Sequence, residues 1–265
     1  TFRVTNVEYH YPAYTELETR RIDGLGDIKA IDGTDVVIRA EASQDIAEAN
    51  IHLEGLRQHS RSMTFEGRAA VHRLELRRKI VGDDSIPELT AYQLQFETLH
   101  GNANQNPVRH RILIKRDMPP MVEIVSPSQP DRDVPADSNA YIQVRAFDPD
   151  FRISGMRIVG RKDGRLIFDE DLLQHKARKK PLEGAQRATF LFKPGRYGLK
   201  AGDVVEYQAV AFDNKTPAPN RGESEEKRLR ITKPQGVDGT DTHDDKPENQ
   251  DQRGEDQHAA DANDK

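Results

Sequence analysis

Short segments in which apolar and polar residues alternate dominate this chain, and their period of two constrains the fold more than any other feature. Residues 36–42, 92–96 and 204–211 each alternate in this way, and turn signals such as Asp32-Gly33 and Asp163-Gly164 separate such segments. A two-residue period is that of a β-strand with one buried face. Short strands with turns about every ten residues are typical of a β-sandwich. The sequence therefore predicts an all-β protein.

The two halves of the chain resemble one another, which predicts a tandem repeat. Residues 90–96 (TAYQLQF) align with residues 205–211 (VEYQAVA), and each segment is followed by a polar loop rich in Asn and Pro and then by a closing strand. The offset of 115 residues matches the length of one immunoglobulin-like (Ig-like) sandwich domain. We therefore expect two tandem Ig-like β-sandwich domains, covering residues 1–117 and 118–233.

Residues 234–265 differ from the rest of the chain in composition. They contain ten acidic and three basic residues, so this segment carries a net charge of −7, and the remainder of the −5 chain carries +2. Such a segment has too little apolar surface to offset the entropy of ordering. The sequence predicts a disordered acidic tail. The two prolines at 119–120 are expected to stiffen the junction between the domains.

Composition and missing motifs exclude several classes of function. The chain has no cysteine, so disulfides, thiolate metal sites and cysteine nucleophiles are excluded. It has no His-Glu-x-x-His, Gly-x-Ser-x-Gly or phosphate-loop pattern, and we predict that it is not an enzyme. The nearly neutral body lacks the clustered positive charge of a nucleic-acid-binding surface. No apolar run is long enough for a membrane helix.

Several short motifs carry a family resemblance. Residues 11–15 (YPAYT) and 26–30 (GDIKA) in the first half, and residues 146–150 (AFDPD) and 198–207 (GLKAGDVVEY) in the second, are similar to Ig-like repeats of large bacterial membrane-anchored proteins of uncharacterised function. The resemblance covers about residues 4–233. It implies an extracytoplasmic β-sandwich array, periplasmic or at the cell surface, whose membrane segments lie outside this chain. It offers no catalytic residues.

Acidic residues at two predicted strand ends form the sharpest candidate site. Asp148 and Asp150 follow one strand, Asp213 and Asn214 end another, and Asp117 lies near the predicted junction. Oxygen clusters of this kind suit Ca²⁺, which takes six to eight oxygen ligands. Asp and Asn also close strand-end turns with their own side chains, which is the alternative interpretation.

Three functional hypotheses follow from the sequence. The first is a non-catalytic spacer or scaffold that contacts protein partners not identified by the sequence, with strand addition at an exposed edge as one mode. The second is a calcium-stabilised, cadherin-like adhesion module that uses Asp148, Asp150, Asp213 and Asn214. The third is a glycan-binding accessory domain based on Tyr9, Tyr11 and Tyr14. The basic run at 175–180 is either an anion-contacting patch or a solvated loop.

Overall fold

The structure, a computed structural model, describes residues 1–82, 84–173 and 180–235. The predicted disordered tail lies outside the described residues except for its first two positions, and so does the basic run at 175–180 except for Lys180. Residues 1–234 form one compact unit. The described residues contain no helix of the length and apolar character needed to cross a membrane.

Within residues 1–82 and 84–117, the first half contains twelve strands and one 3₁₀ turn, Ala13–Thr15. The strands are β1 (Phe2–His10), β2 (Arg20–Asp23), β3 (Ile28–Ile31), β4 (Asp35–Ala42), β5 (Ile46–Gly55), β6 (His59–Ser62), β7 (Thr64–Glu66), β8 (Ala69–Glu75), β9 (Arg78–Val81), β10 (Asp84–Pro87), β11 (Leu89–Thr98) and β12 (Arg109–Lys115). One sheet has the order β2-β1-β4-β8-β7 and the facing sheet has the order β3-β12-β11-β5-β6. Strands β9 and β10 form a separate hairpin.

Within residues 118–173 and 180–235, the second half contains ten strands and a second 3₁₀ turn, Pro194–Tyr197. Its strands are β13 (Met121–Ser126), β14 (Asp131–Pro135), β15 (Ala140–Phe147), β16 (Arg152–Lys162), β17 (Arg165–Asp171), β18 (Leu182–Glu183), β19 (Gln186–Phe192), β20 (Val204–Asp213), β21 (Arg221–Glu223) and β22 (Lys227–Thr232). One sheet runs β13-β15-β19. The other runs β14-β22-β20-β16-β17, with β18 beside β16 and β21 beside β20.

The two halves share one topology. The order β1-β4-β8 in the first corresponds to β13-β15-β19 in the second, and β3-β12-β11-β5 corresponds to β14-β22-β20-β16. Each half also pairs an early short strand in parallel with its last strand, β3 with β12 and β14 with β22. The prediction of two tandem Ig-like sandwiches is confirmed, and the shared parallel pair agrees with the repeat found in the sequence.

Each half has its own hydrophobic core, built from the buried faces of its two sheets. In β4 the burial alternates along the whole strand, as the two-residue period predicts, with Val36 and Ile38 fully buried. Tyr92 and Phe96 on β11 belong to the first core. Tyr207 on β20 and Phe192 on β19 belong to the second core. Polar contacts between the two halves cluster where β15 and β20 end, and this region contains the predicted site.

Candidate functional site

The four predicted site residues lie at the end of the second sandwich that faces the first. Asp148 and Asp150 follow β15, Asp213 is the last residue of β20, and Asn214 comes next. These two strands belong to opposite sheets of the second sandwich. Asn214 reaches across the junction, because its Nδ2 donates a hydrogen bond to the main-chain carbonyl of Tyr14 at 2.7 Å.

Asp148 closes the turn that follows β15. Its Oδ1 accepts hydrogen bonds from the backbone N–H groups of Asp150 and Phe151, at 3.1 and 2.5 Å. Asp150 in turn accepts a bond from the backbone N–H of Met118 at 2.9 Å, so its carboxylate fixes the chain segment that joins the sandwiches. Both roles are those of turn-forming aspartates. The second oxygen of Asp148, Oδ2, is buried without a hydrogen-bond partner among the described residues.

Asp213 organises the loop between β20 and β21 from a buried position. Its Oδ1 accepts bonds from the backbone N–H groups of Lys215 and Asn220, at 3.1 and 2.8 Å. Its Oδ2 accepts a bond from Asn220 Nδ2 at 2.7 Å. Both carboxylate oxygens are therefore engaged inside the protein, and this carboxylate serves chiefly to hold the loop in shape.

Tyr14 of the first sandwich enters the same region from the 3₁₀ turn Ala13–Thr15. The turn is fixed locally because the Thr15 hydroxyl and backbone N–H both bond to the Pro12 carbonyl, at 2.7 and 3.0 Å. The Tyr14 hydroxyl donates to Asp117 Oδ2 at 2.8 Å. Its ring meets the ring of Phe151 edge-on, with centroids 5.5 Å apart at an interplanar angle of 82°, a preferred aromatic geometry.

Asp117, like Asp213, is buried at the junction, with 1% of its surface exposed. Burial raises its pKa to about 6; the hydrogen bond from Tyr14 opposes that shift, and the nearby carboxylate of Asp213 adds to it. Burial also raises the pKa of Asp148, against the two backbone hydrogen bonds that its carboxylate accepts. Asp117 Oδ1 and Asn214 Oδ1 are buried without hydrogen-bond partners in the described part of the chain.

The structure thus brings Asp117, Asp148 and Asp213 close enough for their charges to influence one another. Lys215 offsets part of this negative charge, since it lowers the pKa of Asp117. Within residues 1–82, 84–173 and 180–235, no three His, Cys, Asp or Glu side chains are arranged to hold a metal ion together. Asp148 and Asp213 each use one oxygen to close a turn, as the alternative interpretation of the sequence expects.

The three N-terminal tyrosines do not form an exposed aromatic face. Tyr9 is buried in the first core and stacks on Tyr11, with ring centroids 6.1 Å apart. Tyr14 is buried at the junction. The glycan-binding hypothesis therefore loses the feature on which it rested, because a sugar platform requires accessible ring faces.

Sequence reasoning missed the central position of Tyr14. A large aromatic residue in a short loop, two positions after Pro12, is the available signal, since such a side chain must find a partner outside its own strand. The sequence indicates Asp117 only as an additional oxygen near the predicted junction. Its burial follows from contacts made across 103 residues of chain, which no local pattern reports.

The strand order and the buried junction define a tandem Ig-like β-sandwich protein. No protein-family model matches the chain, and no curated protein matches it either. Among solved structures, the chain is similar to the titin A168169 substructure, with 11% identity over 78% of this chain and 94% of that chain, at a TM-score of 0.26.

Two further solved structures show the same level of similarity. One is Dpr2 Ig1-Ig2 in complex with DIP-Theta Ig1-Ig3, with 9% identity, 79% and 96% coverage and a TM-score of 0.28. The other is titin z1z2 in complex with telethonin, with 13% identity, 78% and 92% coverage and a TM-score of 0.28. At these scores the fold assignment rests on the strand order of this chain.

Proposed function

We propose that this chain is a non-catalytic structural and protein-interaction module, a spacer or scaffold that holds two Ig-like sandwiches in a fixed relative orientation. The proposal places it on the extracytoplasmic side of a bacterial membrane, within a larger membrane-anchored protein. The family resemblance of the sequence supports this placement. Sandwiches of this kind present loops and sheet edges to partners without a catalytic cleft, which is an argument by analogy of fold.

The observation that carries the proposal is the packing of Tyr14. Three contacts bind this one residue to the linker and the second sandwich: its hydroxyl to Asp117, its carbonyl to Asn214, and its ring to Phe151. A buried hydroxyl and a buried carboxylate joined in this way are costly to separate unless water replaces the bond. Contacts of this kind favour one orientation over free rotation about the linker.

Two ion pairs add to the same junction. Arg152 on β16 lies 2.7 Å from Glu16, and its side chain is only 14% exposed. Lys215 Nζ lies 3.7 Å from Asp32 Oδ2. Exposed ion pairs contribute little to stability, about 0–1 kcal/mol, but the low exposure of Arg152 reduces solvent screening. Both pairs join a residue of the first sandwich to one of the second.

The test is rotational diffusion measured by ¹⁵N relaxation on the full chain. If the junction is fixed, amides of both sandwiches should report one common correlation time. In the Tyr14→Ala variant we expect two shorter and unequal correlation times. The control Tyr141→Ala removes an exposed tyrosine, 60% accessible, and should behave as wild type. Independent tumbling of the two sandwiches in the wild-type chain would contradict the proposal.

Placement outside the cytoplasm has its own test. In spheroplasts of the source cell, protease added from outside should degrade the chain while a cytoplasmic marker stays intact. Protection of the chain until the membrane is lysed would contradict an extracytoplasmic location. This result would leave the fixed junction unaffected, because the relaxation experiment uses purified protein.

Calcium binding is a second candidate, favoured by one specific observation. Asp117 Oδ1, Asp148 Oδ2 and Asn214 Oδ1 are three buried oxygens without hydrogen-bond partners among the described residues, all at the junction. Buried polar atoms normally have partners, and oxygen ligands suit Ca²⁺. Asp150 and Asp213 are also predicted ligands, but their oxygens already accept hydrogen bonds. Asp150 accepts from the backbone of Met118, and Asp213 accepts from the backbone of Lys215 and Asn220.

Thermal unfolding of the full chain in millimolar Ca²⁺ and in chelator tests the candidate. A ligand that binds only the native state adds about 2.7 kcal/mol at a hundredfold excess over its Kd. Calcium should raise Tm by several degrees, Mg²⁺ should not, and Asp148→Asn should abolish the rise. Coincident melting curves would eliminate calcium and leave a metal-free spacer.

A further inference from the structure

An open groove of about 720 Å³ lies on the first sandwich, on the side where β6 forms the edge of its sheet. Its floor is apolar and is formed by the buried side chains of Leu53, Leu74 and Leu89. At its rim, Leu56 and Val81 are exposed, at 48% and 52%. The volume falls within the range of about 300–1,000 Å³ that is usual for binding clefts.

The rim of this groove carries an excess of positive charge. It contains five basic residues, Arg57, Arg61, Arg73, Arg77 and Lys79, against two acidic residues, Glu75 and Glu88. The groove therefore carries a net charge of +3, although residues 1–233 as a whole carry only +2. Arg77 and Lys79 belong to a basic run at residues 77–79, whereas Arg57, Arg61 and Arg73 are brought to it by the fold.

Only part of this charge is neutralised within the protein. Arg77 pairs with Glu75 at 2.7 Å, and Arg73 lies 3.7 Å from Asp35. Across the described ranges, Arg57, Arg61 and Lys79 form no ion pair with a carboxylate. Arg side chains offer planar, bidentate donors for carboxylates. The unpaired cations are therefore available to an external anionic group.

We propose that this groove binds an acidic, extended segment of a partner protein, with carboxylates against the basic rim and an apolar side chain on the leucine floor. Charge complementarity specifies the acidic character, and the apolar floor requires an apolar anchor, which a phosphate backbone lacks. Within the described chain, the lining contains no Phe, Tyr or Trp for base stacking, and His59 is its one aromatic ring. The edge strand β6 offers unpaired main-chain groups for strand addition.

This inference rests on the proposed interaction function but uses residues away from the junction. The probe is a short fluorescein-labelled peptide of alternating Glu and Leu, titrated by anisotropy against the full chain. A Lys-Leu peptide and an oligo-dT of similar length form the comparison arms. We expect the Glu-Leu peptide to bind best, with an affinity that falls as salt rises.

Variants then assign the binding to the groove. Arg57→Glu/Lys79→Glu should weaken binding by about tenfold or more, because like charges face each other. Arg165→Glu/Lys193→Glu makes the same charge change at exposed positions of the second sandwich and should leave binding unchanged. Leu56→Ser should weaken binding, whereas Leu166→Ser at a similarly exposed position, 55%, should not.

Three results would overturn the inference. The first is no binding of the Glu-Leu peptide, and the second is an equal loss of peptide affinity in the two charge-reversal variants. The third is tighter binding of oligo-dT that Leu56→Ser does not affect. The last result would assign the groove to a polyanion instead. If the peptide does not bind but both sandwiches share one correlation time, the groove is not a binding site and the spacer function still holds. If the sandwiches tumble independently but the peptide binds through the groove, the binding site holds and the fixed spacer does not.

Discussion

The hydroxyl of Tyr14 and the carboxylate of Asp117 lie 2.8 Å apart, although 103 residues separate them in the chain. Tyr14 comes from a loop of the first sandwich, and Asp117 lies in the short segment between the last strand of that sandwich and the first strand of the next. Because both residues are buried, this hydrogen bond couples the position of the linker to the fold of the first sandwich.

Tyr14→Phe should lower the free energy of unfolding by about 1–3 kcal/mol, because the change leaves a buried carboxylate oxygen unsatisfied. Equilibrium urea unfolding measures this loss. In the double variant Tyr14→Phe/Asp117→Ala, the loss should be smaller than the sum of the two single changes, since both remove the same bond. Additive losses would show that the two side chains act independently.

The raised pKa of Asp117 predicts that junction stability depends on pH. Below about pH 4 the carboxyl is protonated in both the folded and the unfolded chain, so folding carries no penalty from this group. As pH rises from about 4 to the folded pKa of about 6, the unfolded chain releases its proton first and the free energy of unfolding falls, by at most roughly 3 kcal/mol.

This pH dependence is isolated by comparing wild type with Asp117→Asn in urea titrations between pH 4 and pH 8. Relative to wild type, the variant should gain stability steadily up to about pH 6 and show a constant difference above it. Asp203, whose pKa is lowered by its contact with Lys162, acts in the opposite direction, but its contribution changes below about pH 4, outside this range. If the difference in free energy of unfolding between wild type and Asp117→Asn does not change with pH, the pKa of Asp117 is not raised.

Gly222 on β21 marks the closest backbone approach at the linker. A Cβ at this position would lie 1.8 Å from the main-chain oxygen of Pro120. Because the obstacle is backbone, Gly222→Ala should destabilise the second sandwich by about 1–3 kcal/mol. Gly195→Ala is the matched control, since nothing lies within 4 Å of its added Cβ. Equal melting temperatures for the two variants would argue against the close approach at Pro120.

Lys227 is a buried lysine that fixes the end of β13 and the loop after it in the second sandwich. Its ammonium group donates to the carbonyls of Ile124 and Ser128, each at 3.2 Å, and to that of Pro127. Lys227→Met keeps much of the side-chain volume but leaves these carbonyls without their donor, and we expect a loss of about 1–3 kcal/mol in urea unfolding. Lys193→Met, at an exposed position, should cost little.

The architecture could be predicted because it is encoded in local patterns. The alternation at residues 36–42 and 204–211 corresponds to β4 and β20, whose buried faces follow the period of two. The alignment of residues 90–96 with 205–211 corresponds to β11 and β20, which occupy equivalent places in their sheets. Strand-end aspartates such as Asp148 and Asp213 were also identified, and both do close turns.

The junction and the groove could not be predicted, because both depend on contacts between distant segments. Tyr14 meets Phe151 and Asn214 only after both sandwiches have folded. The fold brings Arg57 and Arg61 to the basic run at residues 77–79, so the sequence shows only part of the basic rim. Periodicity specifies which face of a strand is buried, but not which loops of two domains meet.

The most direct test of the central claim, a fixed orientation of the two sandwiches, is a spin-label distance distribution between them. The chain contains no cysteine, so labels at Glu48→Cys and Arg165→Cys, both exposed, are unambiguous. We predict a single narrow distance distribution in the otherwise wild-type chain and a broad one when Tyr14→Ala is added. A distribution that is already broad with Tyr14 in place would contradict the account.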